Sequence, residues 1–185
     1  MPLQLWKQDK RFCDLRNHIG DRSLLDPARL YVLCGLARNA ETVTGDIAEC
    51  GVYKGGSALL LARSCTTKRL HLFDTFTGLP EPDPTVDEHK RGDFADTDRK
   101  SVAQLLLGCS VDIYEGLFVD TFPRAAQWTY ALVHIDVDLY TSALQCLNFF
   151  YPRLSHGAVM AIDDYGFPSC PGVRKAVDGF FIGKP

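Results

Sequence analysis

The sequence predicts an α/β fold built on a doubly wound parallel sheet, and three observations predict it. From residue 45 onward, short apolar runs alternate with stretches of helical periodicity. The run Tyr130–Asp136 (YALVHID) is apolar on both faces, as a central parallel strand should be. The stretch Gly45–Ala58 (GDIAECGVYKGGSA) reads as a strand, a glycine turn and a helix start, the unit that opens such sheets. At 185 residues and 46% hydrophobic, the chain can build one domain with a proper core. Within it we distinguish an N-terminal helical segment, residues 1–44, from a ligand-binding body, residues 45–185.

Taken in order, Leu3–Ile19 carries a weak helical signal in Phe12, Leu15 and Ile19, and would serve as a covering helix, a dimer arm or a frayed end. Asp26-Pro27 is a helix start, an N-cap with proline at the first helical position, and Leu30, Leu33, Cys34 and Ala37 continue it as an apolar stripe to Asn39. The first strand is Asp46–Cys50, the turn runs from Gly51 to Gly56, and a helix opens at Ser57. Arg69–Phe73 forms a second strand ending at Asp74. Thr75–Asp98 holds Gly78, Pro80, Pro82, Pro84 and Gly92, too many breakers for a regular element; a loop this long suits a lid. Asp98 caps the next helix, Val111–Tyr114 is the third strand, and a short helix surrounds Phe122–Gln127. After the fourth strand, Thr141 or Ser142 is expected to cap a helix through Leu144, Leu147 and Phe150. Gly157 is expected to turn the chain into a fifth strand, Ala158–Ile162, and Pro171-Gly172 starts the last helix.

Several function classes fall away. A formal net charge of -3 with scattered basic residues offers no footprint for nucleic acid. Seven cysteines stand singly with no C-x-x-C pair, so they read as reduced core thiols of a cytoplasmic protein rather than a disulfide framework or zinc site. No apolar run is long enough for a membrane span, and the N-terminus lacks a signal peptide's apolar region.

The glycine turn narrows the ligand. Its order, Glu49-x-Gly51-x-x-x-Gly55-Gly56-Ser57, satisfies neither the dinucleotide fingerprint nor the phosphate-cradling loop. An acidic strand end followed by G-x-x-x-G suits a ligand with an ammonium and a ribose but no phosphate, of which S-adenosylmethionine is the commonest. Asp74, at the end of the second strand, is placed to accept hydrogen bonds from ribose hydroxyls, or else to cap a turn. Asp136, Asp163 and Asp164 end the fourth and fifth strands. If those strands are neighbours, three carboxylates converge, and a hard divalent cation such as magnesium, calcium or manganese relieves their repulsion; otherwise they are caps and a solvated strand end. Asp138 shares the parity of Asp136 and is a candidate base or a group that supports the metal ligands, while His134 reads as a satisfied core histidine.

With these stretches in place, the sequence resembles the macrocin O-methyltransferase family, metal-dependent sugar O-methyltransferases. The resemblance is carried by AECGVYKGGSA (48–58), FDTFTGLPEP (73–82), GDFADT (92–97), EGLFVDTFP (115–123), HIDVDLYTS (134–142), YPRLSHGAVMAIDDY (151–165) and PGVRKAVDGF (171–180). It implies a class I methyltransferase (Rossmann-like) fold, S-adenosylmethionine as methyl donor, Mg2+ as required ion, and a hydroxyl of a sugar or glycosylated small molecule as acceptor. Carried over by motif, Glu49, Gly51, Tyr53, Gly55, Gly56, Ser57, Asp74 and Thr75 line the cofactor, Asp136, Asp163 and Asp164 hold the metal, and Asp136 is the general base, with Asp138 close by as the other candidate from strand parity. Such a sheet normally closes with an antiparallel hairpin after the fifth strand. This chain stops one helix beyond that strand, at FFIGKP, so a C-terminally shortened sheet is expected, with activity in question or an edge covered by association as a homodimer. Two alternatives stand beside this reading: a cofactor-binding or interaction protein without turnover, and a haloacid dehalogenase-type phosphatase, whose D-x-D motif DVDLYT resembles.

Overall fold

The computed structural model describes residues 4–184, so Leu3 and Pro185 lie outside it. Five parallel strands, β1 (Asp46–Cys50), β2 (Leu70–Asp74), β3 (Val111–Glu115), β4 (Tyr130–Ile135) and β5 (Leu154–Ile162), form one sheet in the order β3-β2-β1-β4-β5. Chain direction across the sheet reverses between β1 and β4, which makes the crevice beyond their carboxyl ends the natural ligand position. Seven α-helices accompany them among the described residues: α1 (Lys10–Ile19), α2 (Pro27–Ala40), α3 (Gly56–Ser64), α4 (Arg99–Leu105), α5 (Phe118–Thr121), α6 (Tyr140–Phe150) and α7 (Pro171–Phe181).

Strand periodicity assigns the two cores. Leu70 and Leu72 of β2 join Phe12, Leu33, Leu60 and Val102 on the face covered by α1 to α4, whereas Phe73 joins Phe122, Phe150 and Val173 on the face covered by α5 to α7. The N-terminal helices thus share the core of the sheet. Asp9 caps α1 by accepting from the Phe12 amide at 3.0 Å, which fixes a helix where the sequence signal was weak. Asp26 caps α2 with two bonds, from Ala28 at 2.7 Å and Arg29 at 3.1 Å. In α3 the run Leu59-Leu60-Leu61 is buried on every side, so this helix is held by packing rather than amphipathicity.

Two local expectations are corrected. Gly157 does not precede β5 but lies within it. The register passes from Tyr130↔Leu154 to Leu132↔Val159, so five steps along β5 face two along β4, and the strand absorbs the surplus as a bulge around the glycine. Neither Thr141 nor Ser142 caps α6. Its cap position is Leu139, with no side-chain bond of its own, and the Tyr140 amide instead donates to Asp87 Oδ1 at 2.9 Å. The capping carboxylate arrives from the 75–98 loop, 53 residues away.

Candidate active site

At the carboxyl edge of the sheet lies a cavity of about 280 Å³. Its floor is the glycine turn. Gly51 has φ +83°, and a Cβ there would sit 1.6 Å from the Asp136 carbonyl oxygen, so only glycine lets β1 and β4 continue side by side into the site. Gly56 is required for a different approach: a Cβ would fall 2.7 Å from the backbone of Arg22, whose carbonyl accepts the Gly56 amide at 3.1 Å. That contact brings the Arg22–Leu25 segment over the cavity.

Asp74 fastens the turn. Its Oδ2 accepts from the amides of Val52 (2.6 Å) and Tyr53 (3.0 Å), and its Oδ1 from Phe76 (2.7 Å). A carboxylate offers about four acceptor sites, so one remains on Oδ1 for a ligand hydroxyl. Tyr53, Ser57, Thr75 and Gly51 also line the cavity. Glu49, Gly55 and Gly56 do not. Glu49 is fully buried, its Oε1 meets His134 Nδ1 at 2.9 Å, and its Oε2 has no hydrogen-bond partner. Gly55 and Gly56 serve packing against α4 and the Arg22 backbone.

On the opposite wall, carboxylate oxygens of Asp136, Asp163 and Asp164 lie within 4.8 Å of one another. Adjacency of β4 and β5 brings them there. Burial first, then the neighbouring Asp164 and Asp163 charges, pushes the Asp136 carboxyl well above the usual range. Asp163 is also pushed up by burial, against the pull of the Arg29 guanidinium that it binds. Asp164 Oδ2 accepts from the amides of Val137 and Asp138, both at 2.9 Å. Three oxygen donors with a single guanidinium among them match the chemistry of a hard divalent cation, so the residues present fit magnesium. Asp138 sits beside them with φ +60°, a left-handed conformation that costs a non-glycine residue on the order of 1–3 kcal/mol and gathers at functional sites. Its carboxyl is pushed up to about 6, by burial first and by Asp164 next, with His89 pulling the other way.

The loop from Thr75 to Asp98 covers the cavity. Tyr53 Oη donates to Asp96 Oδ2 at 2.9 Å, Thr97 Oγ1 donates to the Tyr53 carbonyl, and Phe94 meets the Tyr53 ring edge-on at 6.1 Å. Tyr53 and Phe94, like Asp138, hold positive φ. Arg29, His89, Phe94 and Cys170 line the site without having been read from the sequence. Arg29 fell in an ordinary capped helix, His89 in the long loop without a reading of its own, and Cys170 among the core thiols; their shared property is an ion-pair or donor contact across a long stretch of chain, such as the separation of 134 positions between Arg29 and Asp163. The phosphatase alternative fails on topology, because DVDLYT follows β4 instead of opening the domain.

Residues 28–182 match the profile of a family described as Macrocin-O-methyltransferase (TylF). The chain is 35% identical over 158 residues to the 8-demethyl-8-(2,3-dimethoxy-alpha-L-rhamnosyl)-tetracenomycin-C 4'-O-methyltransferase of Streptomyces olivaceus, covering 76% of this chain and 59% of that protein. It is 30% identical over 182 residues to the demethyldecarbamoylnovobiocin O-methyltransferase of Streptomyces niveus, over 83% of this chain and 69% of that one. The solved structure of the O-methyltransferase NovP superposes with a TM-score of 0.76 at 26% identity, over 88% of this chain and 74% of its own. This chain therefore spans less than two thirds of the length of the first of these relatives.

Proposed function

Because the chain belongs to the macrocin O-methyltransferase family and has the class I fold, we propose that it transfers a methyl group from S-adenosylmethionine to a hydroxyl of a sugar or glycosylated small molecule. The observation that carries this reading is one cavity holding the Gly51 turn, the Asp136, Asp163 and Asp164 cluster, and a basic Asp138. A rhamnosyl group in the name of the tetracenomycin relative supports a sugar acceptor.

Asp74 and Thr75 would bind and orient the ribose end of the methyl donor, and the Gly51–Tyr53 backbone its amino-acid end. Asp136, Asp163 and Asp164 would hold a magnesium ion, which when bound supplies Lewis acidity toward the acceptor hydroxyl. Asp138 takes the hydroxyl proton. With its carboxyl at about 6 it is ionised at neutral pH yet basic enough to accept, which favours it over Asp136, whose oxygens belong to the cluster. Arg29 holds Asp163 in place and offsets the negative charge of the wall. The 75–98 loop, through His89 and Phe94, excludes water and orients the acceptor.

The test is methyl transfer from labelled S-adenosylmethionine to rhamnosides, with magnesium or with a chelator. Product formation that the chelator stops and Asp138→Asn cuts by about 100-fold or more supports the reading. Undiminished turnover in Asp138→Asn would remove Asp138 as the base, and turnover in chelator would remove the metal.

A further inference from the structure

Beside the three aspartates, a second set of donors lies on the cavity wall, and its chemistry is different. His89 comes from the covering loop, Asp138 from the turn after β4, and Cys170 from the residue before α7. His89 Nε2 is 3.6 Å from Asp138 Oδ1, Cys170 Sγ is 3.6 Å from the same oxygen, and the sulfur is 3.8 Å from His89 Nε2. At 3.6 Å the imidazole and carboxylate stand too far apart for an ordinary hydrogen bond. Zinc–ligand bonds of about 2.0–2.3 Å meeting at the tetrahedral angle separate nitrogen, oxygen and sulfur donors by ~3.4–3.6 Å. The three side chains already outline one face of that tetrahedron to within a few tenths of an ångström.

The surroundings of each donor point the same way. His89 turns its other ring nitrogen, Nδ1, toward Asp93 Oδ2 at 3.4 Å, the carboxylate–histidine arrangement that orients a metal-binding imidazole. Asp93 is in turn anchored by the Lys90 amide at 2.9 Å. Asp138 is fixed through its own amide by Asp164, and Ser169 Oγ lies 3.5 Å from the Cys170 sulfur. A mixed nitrogen, oxygen and sulfur set prefers a borderline-soft cation, whereas the neighbouring all-oxygen cluster prefers a hard one. We propose that His89, Asp138 and Cys170 form a second metal site, for zinc or a cation of its class, adjoining the magnesium-type site and leaving its fourth position to water or a ligand in the cavity.

Filling this site engages Asp138 and pins the covering loop through His89, so zinc is an inhibitor of methyl transfer. That consequence rests on the reading of Asp138 as base; the binding itself does not. Capture of the ion as a thiolate complex releases the Cys170 proton, so binding tightens as pH rises.

Cobalt(II), titrated into the full chain in excess magnesium, is the probe. A thiolate-to-cobalt charge-transfer absorption in the near ultraviolet should grow to one equivalent, fall on addition of zinc, and disappear in Cys170→Ser. In His89→Ala, a loop variant that tests the site should Cys170→Ser fail to fold, affinity should drop by more than the roughly 10–100-fold that loss of a supporting contact costs. In Asp163→Asn the absorption should persist. No absorption from the folded chain, one that survives in Cys170→Ser, or one lost in Asp163→Asn would overturn the site. Zinc binding displaced cobalt without slowing methyl transfer would keep the site and remove Asp138 as the base.

Discussion

Replacing Asp164 by asparagine and by alanine separates two tasks that one side chain performs. Its Oδ2 accepts two backbone amides, Val137 and Asp138, at 2.9 Å each, and the residue is 5% exposed. Bonds to a charged acceptor contribute about 1.5–3 kcal/mol each, so Asp164→Ala forfeits ~3–6 kcal/mol, less the relief of removing a charge beside Asp136 and Asp138. Against a total of about 5–15 kcal/mol for a domain, the alanine variant is severely weakened. Asparagine can turn its carbonyl to the same two amides and keep neutral bonds of about 0.5–1.5 kcal/mol each, so with the same relief of repulsion it should lie within ~2 kcal/mol of the parent. Magnesium affinity should behave otherwise and fall at least about tenfold in both variants, because both lose an anionic oxygen donor. Urea unfolding in chelator measures the first quantity and magnesium titration of the folded variants the second. Equal destabilisation by asparagine and alanine would refute the role assigned to the two amides, and parental magnesium affinity in Asp164→Asn would refute its place in the metal set.

Other outcomes follow from the same geometry. Gly51→Ala places a Cβ 1.6 Å from the Asp136 carbonyl, so it should cost more than about 4 kcal/mol or yield no folded protein, as judged by thermal unfolding. Removing His134 leaves buried Glu49 with neither oxygen paired, and His134→Ala should lose ~3–5 kcal/mol in denaturant titration. Asp138 is raised from 3.8 to about 6 in the folded chain, so the folded state holds the extra proton between those values. Stability of the metal-free protein should therefore fall as pH rises through that window, by roughly 3 kcal/mol from Asp138 alone, with magnesium opposing the loss. In the magnesium-loaded enzyme, whose ion draws the Asp138 carboxyl below its metal-free value, kcat/KM should rise with pH as the base ionises and then level off.

The strand ends and the glycine turn were legible because strand periodicity, the Asp26-Pro27 cap and the Asp98 cap are local signals. Asp136, Asp163 and Asp164 were legible as a cluster once β4 and β5 were taken as neighbours. What escaped was set by contacts across long stretches of chain. The cap of α6 comes from Asp87, so no residue near Tyr140 announces it. Gly157 looked like a turn because a bulge and a turn draw on the same residue. Glu49 looked like a cofactor contact because it lies near the carboxyl end of β1; its pairing with His134 appears only when β1 and β4 are aligned side by side. His89 carries no periodic or spacing signal at all, and only the fold of the 75–98 loop brings it to Asp138 and Cys170.

The most direct test of the account is calorimetric titration of S-adenosylhomocysteine into the purified chain, with magnesium and again with a chelator. The cavity around Gly51, Tyr53 and Asp74 predicts a single saturable site, weakened in Asp74→Ala, which releases the three amides that shape the turn. Absence of binding to a chain that unfolds cooperatively would contradict the assignment of this cavity to the methyl donor.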